Sequence, residues 1–146
     1  MTTALSGEGI AERITAVLPG SVVTADEGAV VVTSKSLYQV AAFLKNTPGL
    51  DFDYLTNLAA VDYVDYFEVV YHLISLKHNH SLVLKTRCYD RDKPAVPSVV
   101  SLWRAADFQE REAYDLMGIV FEGHPNLKRL LLWEGFVGHP LRRDYL

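Results

Sequence analysis

Two β-branched, apolar runs in the middle of the chain constrain its fold more than any other feature. DYFEVVYHLISL, residues 65–76, is dense in Val, Tyr, Phe and Ile, the residue types that fit a pleated, half-buried surface. SLVLKTRC, residues 81–88, is a second such run, and the polar LKHNHS between them has the composition of a turn. The spacing predicts antiparallel neighbours. A sheet of that kind must bury one face under other elements.

Covering elements are legible on both sides. Ile10, Ile14, Val17 and Leu18 share one helical face, which Pro19-Gly20 ends. SVVTA (21–25) and AVVVT (29–33) read as a hairpin over Asp26-Glu27-Gly28, the glycine supplying a positive φ. Ser34 or Ser36 is placed to cap a second helix with the stripe Leu37, Val40, Ala41 and Leu44, ended by Thr47-Pro48-Gly49. Asp53 to Ala60 reads as a short third helix capped by Asp53, and YDRDKPAVP (89–97) as a polar loop. A last helix is expected at about 99–117, with Gly118 as its stop. This order predicts an α+β fold, with an antiparallel or mixed β-sheet covered by helices over residues 1–123.

Residues 124–146 differ. Glycines and prolines interrupt them, yet Leu127, Leu130, Leu131, Leu132, Trp133, Phe136, Val137, Leu141 and Tyr145 are apolar. Such a segment needs shelter, either on its own core or on another subunit. It also holds Lys128, Arg129, Arg142 and Arg143 against Glu134 and Asp144, a local +2 on a chain of net charge −4. The expectation is an irregular C-terminal docking segment that fits an acidic partner surface.

The mild overall acidity argues against nucleic acid as a partner. No stretch approaches the roughly 18–20 apolar residues of a membrane span, and the N-terminus lacks the charged start and apolar run of a signal peptide. With Cys88 the lone cysteine, neither an internal disulfide nor a thiolate metal or iron–sulfur site is expected. A reducing, cytoplasmic setting fits that usage, and Cys88 reads as a packed thiol.

The last helix carries the charge. On a helical wheel Trp103, Ala106, Ala113, Tyr114 and Met117 share one arc, with Glu110 in its middle. A buried carboxylate there requires a partner, and Arg87, Arg104, Arg142 and Arg143 are candidates. Asp107, Arg111 and Asp115 stand four apart, so each acid can reach the arginine. Phe108, Ala105 and Leu116 form a second apolar side with Glu112 among them. Three readings compete: a structural helix fixed by ion pairs, acid–base catalysis by Glu110 and Glu112, and an interface helix. The two glutamates point about 200° apart on a helix, which weighs against their serving one substrate.

Histidines add little chemistry. His72, His78 and His80 read as surface residues, with no completed metal set beside them. The repeated Gly-His-Pro at His124-Pro125 and His139-Pro140 reads as two rigid turns. A small metal-dependent hydrolase using Glu110, Glu112 and His124 stays as the enzymatic alternative.

Glu110-Arg111-Glu112, then Asp115-Leu116-Met117, His124, Lys128 and Leu130-Leu131, resembles the signature of the respiratory complex I 30-kDa subunit family, which in bacteria is the C subunit of the proton-pumping NADH:quinone oxidoreductase. His139-Pro140-Leu141-Arg142-Arg143-Asp144-Tyr145 is similar to that family's C-terminal motif, and YLTNLAAVDY (54–63) matches in placement. The resemblance covers about residues 54–146. It implies a non-catalytic structural subunit without a cofactor, seated in the hydrophilic arm. Its partners would be other hydrophilic-arm subunits, chiefly the large, 49-kDa-type quinone-site subunit. It would be held peripherally on the cytoplasmic face of the inner membrane, without inserting directly. Glu110, Arg111, Glu112, Asp115, His124, Pro125, Lys128, His139, Pro140, Arg142, Arg143, Asp144 and Tyr145 carry over as interface or structural residues. Family members often run on past Arg-Asp-Tyr into a tail that wraps a neighbour. The sequence here stops at Leu146, so a smaller grip on partners, or a truncated tail, is expected. Related complexes fed by a deazaflavin, ferredoxin or hydrogen share this type of subunit.

Overall fold

The computed structural model describes residues 2–127, 138, 139 and 142. β5 (Phe67–Ser75) and β6 (His80–Cys88) run antiparallel in unbroken register, from Phe67 opposite Cys88 to Ser75 opposite His80. Phe67, Val69, Tyr71 and Leu73 of β5 are buried with Leu82, Leu84, Thr86 and Cys88 of β6, as a period of two requires when one face meets the core. β4 (Tyr54–Asp62) adds antiparallel to the far side of β5. β3 (Val30–Val32) adds parallel to β6, and β2 (Val22–Ala25) pairs with β3. β1 (Thr3–Ala4) lies parallel beside the start of β6. The mixed six-stranded sheet has the order β2-β3-β6-β5-β4, with β1 off that path.

Three helices cover it. α1 (Gly7–Val17) starts at Ser6, whose hydroxyl accepts from Gly9 N, and buries Ile10 and Ile14. A Cβ on Gly7 would come within 2.2 Å of the Ala29 carbonyl oxygen, so only glycine lets α1 sit this close to the hairpin. α2 (Leu37–Asn46) buries the expected stripe, Leu37, Val40, Ala41 and Leu44. α3 (Ala106–Met117) packs along β4. β7 (Ala95–Pro97) and β8 (Val120–Glu122), on either side of α3 in the chain, form a small parallel pair.

Several expectations are corrected. Asp53–Ala60 is not a helix but most of β4. A bulge between Leu55 and Asn57 turns Leu55 and Leu58, three apart, to the same buried side, which imitates a helical stripe. Asp53 instead accepts a hydrogen bond from Leu76 N. Gly28 is not among the positive-φ residues; the hairpin turn is held by Asp26 Oδ1, which accepts from Gly28 N and Ala29 N. Thr33, not a serine, caps the short 3₁₀ turn Ser34–Ser36 that leads into α2. The 89–97 loop contains β7, and α3 begins seven residues later than expected, because 99–105 fold into turns. Val17 is exposed. His80 is buried, with its ring 4.8 Å from that of Phe52 and Nε2 2.8 Å from the Leu50 carbonyl oxygen.

Candidate functional site

Glu110 is fully buried on the sheet-facing side of α3. Its carboxylate accepts from Ser98 Oγ at 2.6 Å and from Val99 N at 2.8 Å. The expected arginine partner is therefore replaced by the chain just after β7. Arg87 is engaged with Glu68 at 3.1 Å, Arg104 is exposed, and Arg142 is bonded at the other end of α3. Burial pushes the Glu110 carboxyl up to about 7, against the two hydrogen bonds and with help from the Asp107 charge. The Tyr71 hydroxyl nearby is buried without a hydrogen-bond partner among the described residues. Burial first, then the Glu110 charge, hold its proton well above the usual tyrosine range.

The ion-pair ladder expected along α3 does not form around Arg111. Its guanidinium lies 5.5 Å from the ring centre of Phe108, and its Nε has no hydrogen-bond partner among the described residues. Asp107 turns to His124 instead. His124 Nδ1 accepts from Asn126 N at 2.9 Å, so in the neutral ring Nε2 carries the proton. That nitrogen stands 3.4 Å from the Asp107 carbonyl oxygen and 3.0 Å from Oδ1. Oδ1 is out of hydrogen-bond alignment, so the hydrogen bond is to the carbonyl and the carboxylate contributes electrostatically.

His139 and Arg142 take the other end of the helix. His139 Nδ1 donates to the Asp115 carbonyl oxygen at 3.0 Å, and Arg142 Nε donates to the Met117 carbonyl oxygen at 2.6 Å. Arg142 also lies 4.9 Å from the ring centre of Phe67. These donors meet the free carbonyls and negative end of the helix dipole. Gly118, left-handed at φ 79°, ends α3 as expected. A Cβ there would come within 2.8 Å of His139 and 2.9 Å of Arg142. His124 at one end, and His139 with Arg142 at the other, thus hold α3 at both ends. On α3 the Asp107 side chain is 44% exposed, and Glu112 is exposed as well. Glu112 lines a cleft of about 240 Å³ between α3 and Asn57–Ala60 of β4.

Glu110, Glu112 and His124 make three separate sets of contacts, so the structure does not bring together the hydrolase trio. Among the described residues no three His, Cys, Asp or Glu side chains converge as metal ligands. Pro125 lines a hollow with Tyr38, Ser98 and Glu122. Asp115 is buried. Lys128, Pro140, Arg143, Asp144 and Tyr145 lie outside the described residues, as does most of the expected docking segment. Sequence reasoning missed Ser98, whose contact with Glu110 joins positions twelve apart, from the irregular chain after β7 into α3. It also missed Gln109, which accepts from Leu58 N on β4 and donates to the Ala105 carbonyl oxygen. Neither follows a periodicity.

Residues 30–146 match the family model described as respiratory-chain NADH dehydrogenase, 30 Kd subunit, a longer stretch than the motifs alone covered. The C subunit of NADH-quinone oxidoreductase from Roseiflexus sp. (strain RS-1) is 42% identical over 148 residues, covering 97% of this chain and 84% of the relative. Its counterpart in Coxiella burnetii (strain RSA 493 / Nine Mile phase I) is 37% identical over 172 residues, 94% and 75% of the two chains. Among solved structures, a chain of the membrane-bound sulfane sulfur reductase, an archaeal respiratory membrane complex, superposes with a TM-score of 0.69 at 26% identity, over 88% of this chain and 78% of that one. Among the described residues no helix is long and apolar enough to cross a membrane.

Proposed function

The chain belongs to the respiratory-chain NADH dehydrogenase 30 kDa subunit family, and from that premise we propose that it is a non-catalytic assembly subunit of a complex I-like enzyme. In this reading it sits in the hydrophilic arm, on the cytoplasmic face, and packs against the large quinone-site subunit. One observation supports it most. The polar groups of α3 that a catalyst would present are turned into contacts within the chain: Glu110 to Ser98 and Val99, Asp107 to His124, and the Asp115 and Met117 carbonyls to His139 and Arg142. What α3 leaves outward is Phe108, 64% exposed, Glu112 and part of the Asp107 side chain, a mix of apolar and charged groups suited to contact.

The test is affinity purification of the tagged full chain from membranes that hold its parent complex. The large quinone-site subunit should elute with it in equal amount, and deletion of residues 124–146 should abolish that. Purified chain that oxidised NADH or reduced a quinone by itself would overturn the proposal.

A second reading makes this a subunit of a related complex with a different donor or acceptor. The likeness to the sulfane sulfur reductase chain over most of its length favours it. Identification of the co-purified donor-oxidising subunit separates the two.

A further inference from the structure

The turn between β4 and β5 holds an aromatic surface that the core does not use. Tyr63, Val64 and Tyr89 are 45%, 56% and 64% exposed. The rings of Tyr63 and Tyr66 lie 5.4 Å apart, and those of Tyr66 and Tyr89 5.3 Å. Arg87 stands 4.9 Å from the Tyr66 ring centre. Val64 has φ 74°, a left-handed conformation that a β-branched side chain avoids. It is held there: Val64 N donates to Asp62 Oδ1 at 2.8 Å, and buried Asp62 is gripped by Arg91 at 2.7 and 2.9 Å. Tyr63 N bonds to the Tyr66 carbonyl oxygen. Strain of this kind persists where the surroundings over-determine it, and it clusters at working surfaces.

Charge says what would fit. The nearby cations are already answered: Lys85 and Arg87 by Glu68, Arg91 by Asp62. Among the described residues, the exposed charges beside Val64 and Tyr89 are Asp65, Asp90 and Asp92, against Lys93 alone. Tyrosine faces within an acidic rim suit arginine or lysine side chains, laid on the rings and met by carboxylates. We propose that Tyr63, Val64 and Tyr89 form a docking surface for a basic segment of a neighbouring subunit, separate from the α3 clamp. This rests on the reading of the chain as part of a larger assembly.

The experiment places a benzoylphenylalanine photo-crosslinker at Tyr89 in the purified intact complex and maps the adduct. The expected product joins Tyr89 to an Arg- or Lys-bearing stretch of another subunit. The double change Asp65→Lys with Asp90→Lys should lower retention of the chain after a salt wash at least tenfold. Val64→Asn, which tolerates the left-handed backbone, should leave the Tm of the isolated chain unchanged or higher while lowering retention. Adducts confined to this chain, to a second copy of it or to an acidic stretch would overturn the inference, as would wild-type retention of the charge-reversed chain. If the chain co-purifies with the large subunit in those cases, the assembly reading stands while this surface falls; if it enters no complex, both fall.

Discussion

Ser98 Oγ stands 2.6 Å from Glu110 Oε1, a buried contact that ties the chain after β7 to the middle of α3. With the carboxyl held at about 7 by burial, stability is coupled to pH. Between about pH 4.5 and 7 the folded chain keeps a proton at Glu110 that the unfolded chain has released. Stability from this group therefore falls as pH rises through that window, by on the order of 2–3 kcal/mol. Glu110→Gln keeps an oxygen for Val99 N and removes the titration. Urea midpoints at pH 5 and pH 8 should differ for the wild type, with the lower value at pH 8, and the difference should shrink in the variant.

The parts of the fold that the sequence exposed are those where one periodicity governs. The β5–β6 pair and the α2 stripe are of this kind, each with its apolar residues at the spacing of a single element. β4 escaped because its bulge converts a spacing of two into three. β7 and β8 escaped because three-residue strands carry no period at all. In the site, the burial of Glu110 was legible from its neighbours on the wheel, but its partners were not: a backbone N–H and a serine on an irregular segment leave no signature at a distance. Gly118 was legible as a helix stop, whereas its second role, making room for His139 and Arg142, depends on contacts that only the fold creates.

Trp103 joins the turns before α3 to the end of the α2 loop. Its indole N–H donates to the Phe52 carbonyl oxygen at 2.9 Å, and both residues are buried. Trp103→Phe keeps most of the apolar area but leaves that carbonyl short of a donor. The expected loss is about 2 kcal/mol, read as a lower urea midpoint with an unchanged slope.

Arg91 holds Asp62 by two short bonds where the carboxylate is 3% exposed, and its guanidinium also lies 4.5 Å from the Phe67 ring centre. Arg91→Leu retains apolar bulk and removes the charge that answers Asp62. A loss of roughly 3 kcal/mol is expected. Asp62→Asn in the same background should recover part of it, because the charge is then gone. A thermal melt of the two variants side by side checks both statements.

Gly118 and Arg142 should behave as one unit. Gly118→Ala is strained by φ 79°, which costs an L residue roughly 1–2 kcal/mol. It also sets a methyl group where His139 and Arg142 approach. Arg142→Ala removes the donor to the Met117 carbonyl oxygen and the cation at the negative end of α3, worth about 1 kcal/mol. If the methyl group displaces the arginine, the second substitution has nothing left to remove. The double variant should then be less destabilised than the sum of the singles by about 1 kcal/mol. Arg142→Lys separates the contributions: it keeps the charge near the helix end but loses the flat contact with Phe67, so it should recover only part of the loss. Hydrogen exchange of the last-turn α3 amides gives the local readout. Strictly additive losses in the cycle, with unchanged exchange in Gly118→Ala, would show that the arginine does not rest in the space the glycine leaves.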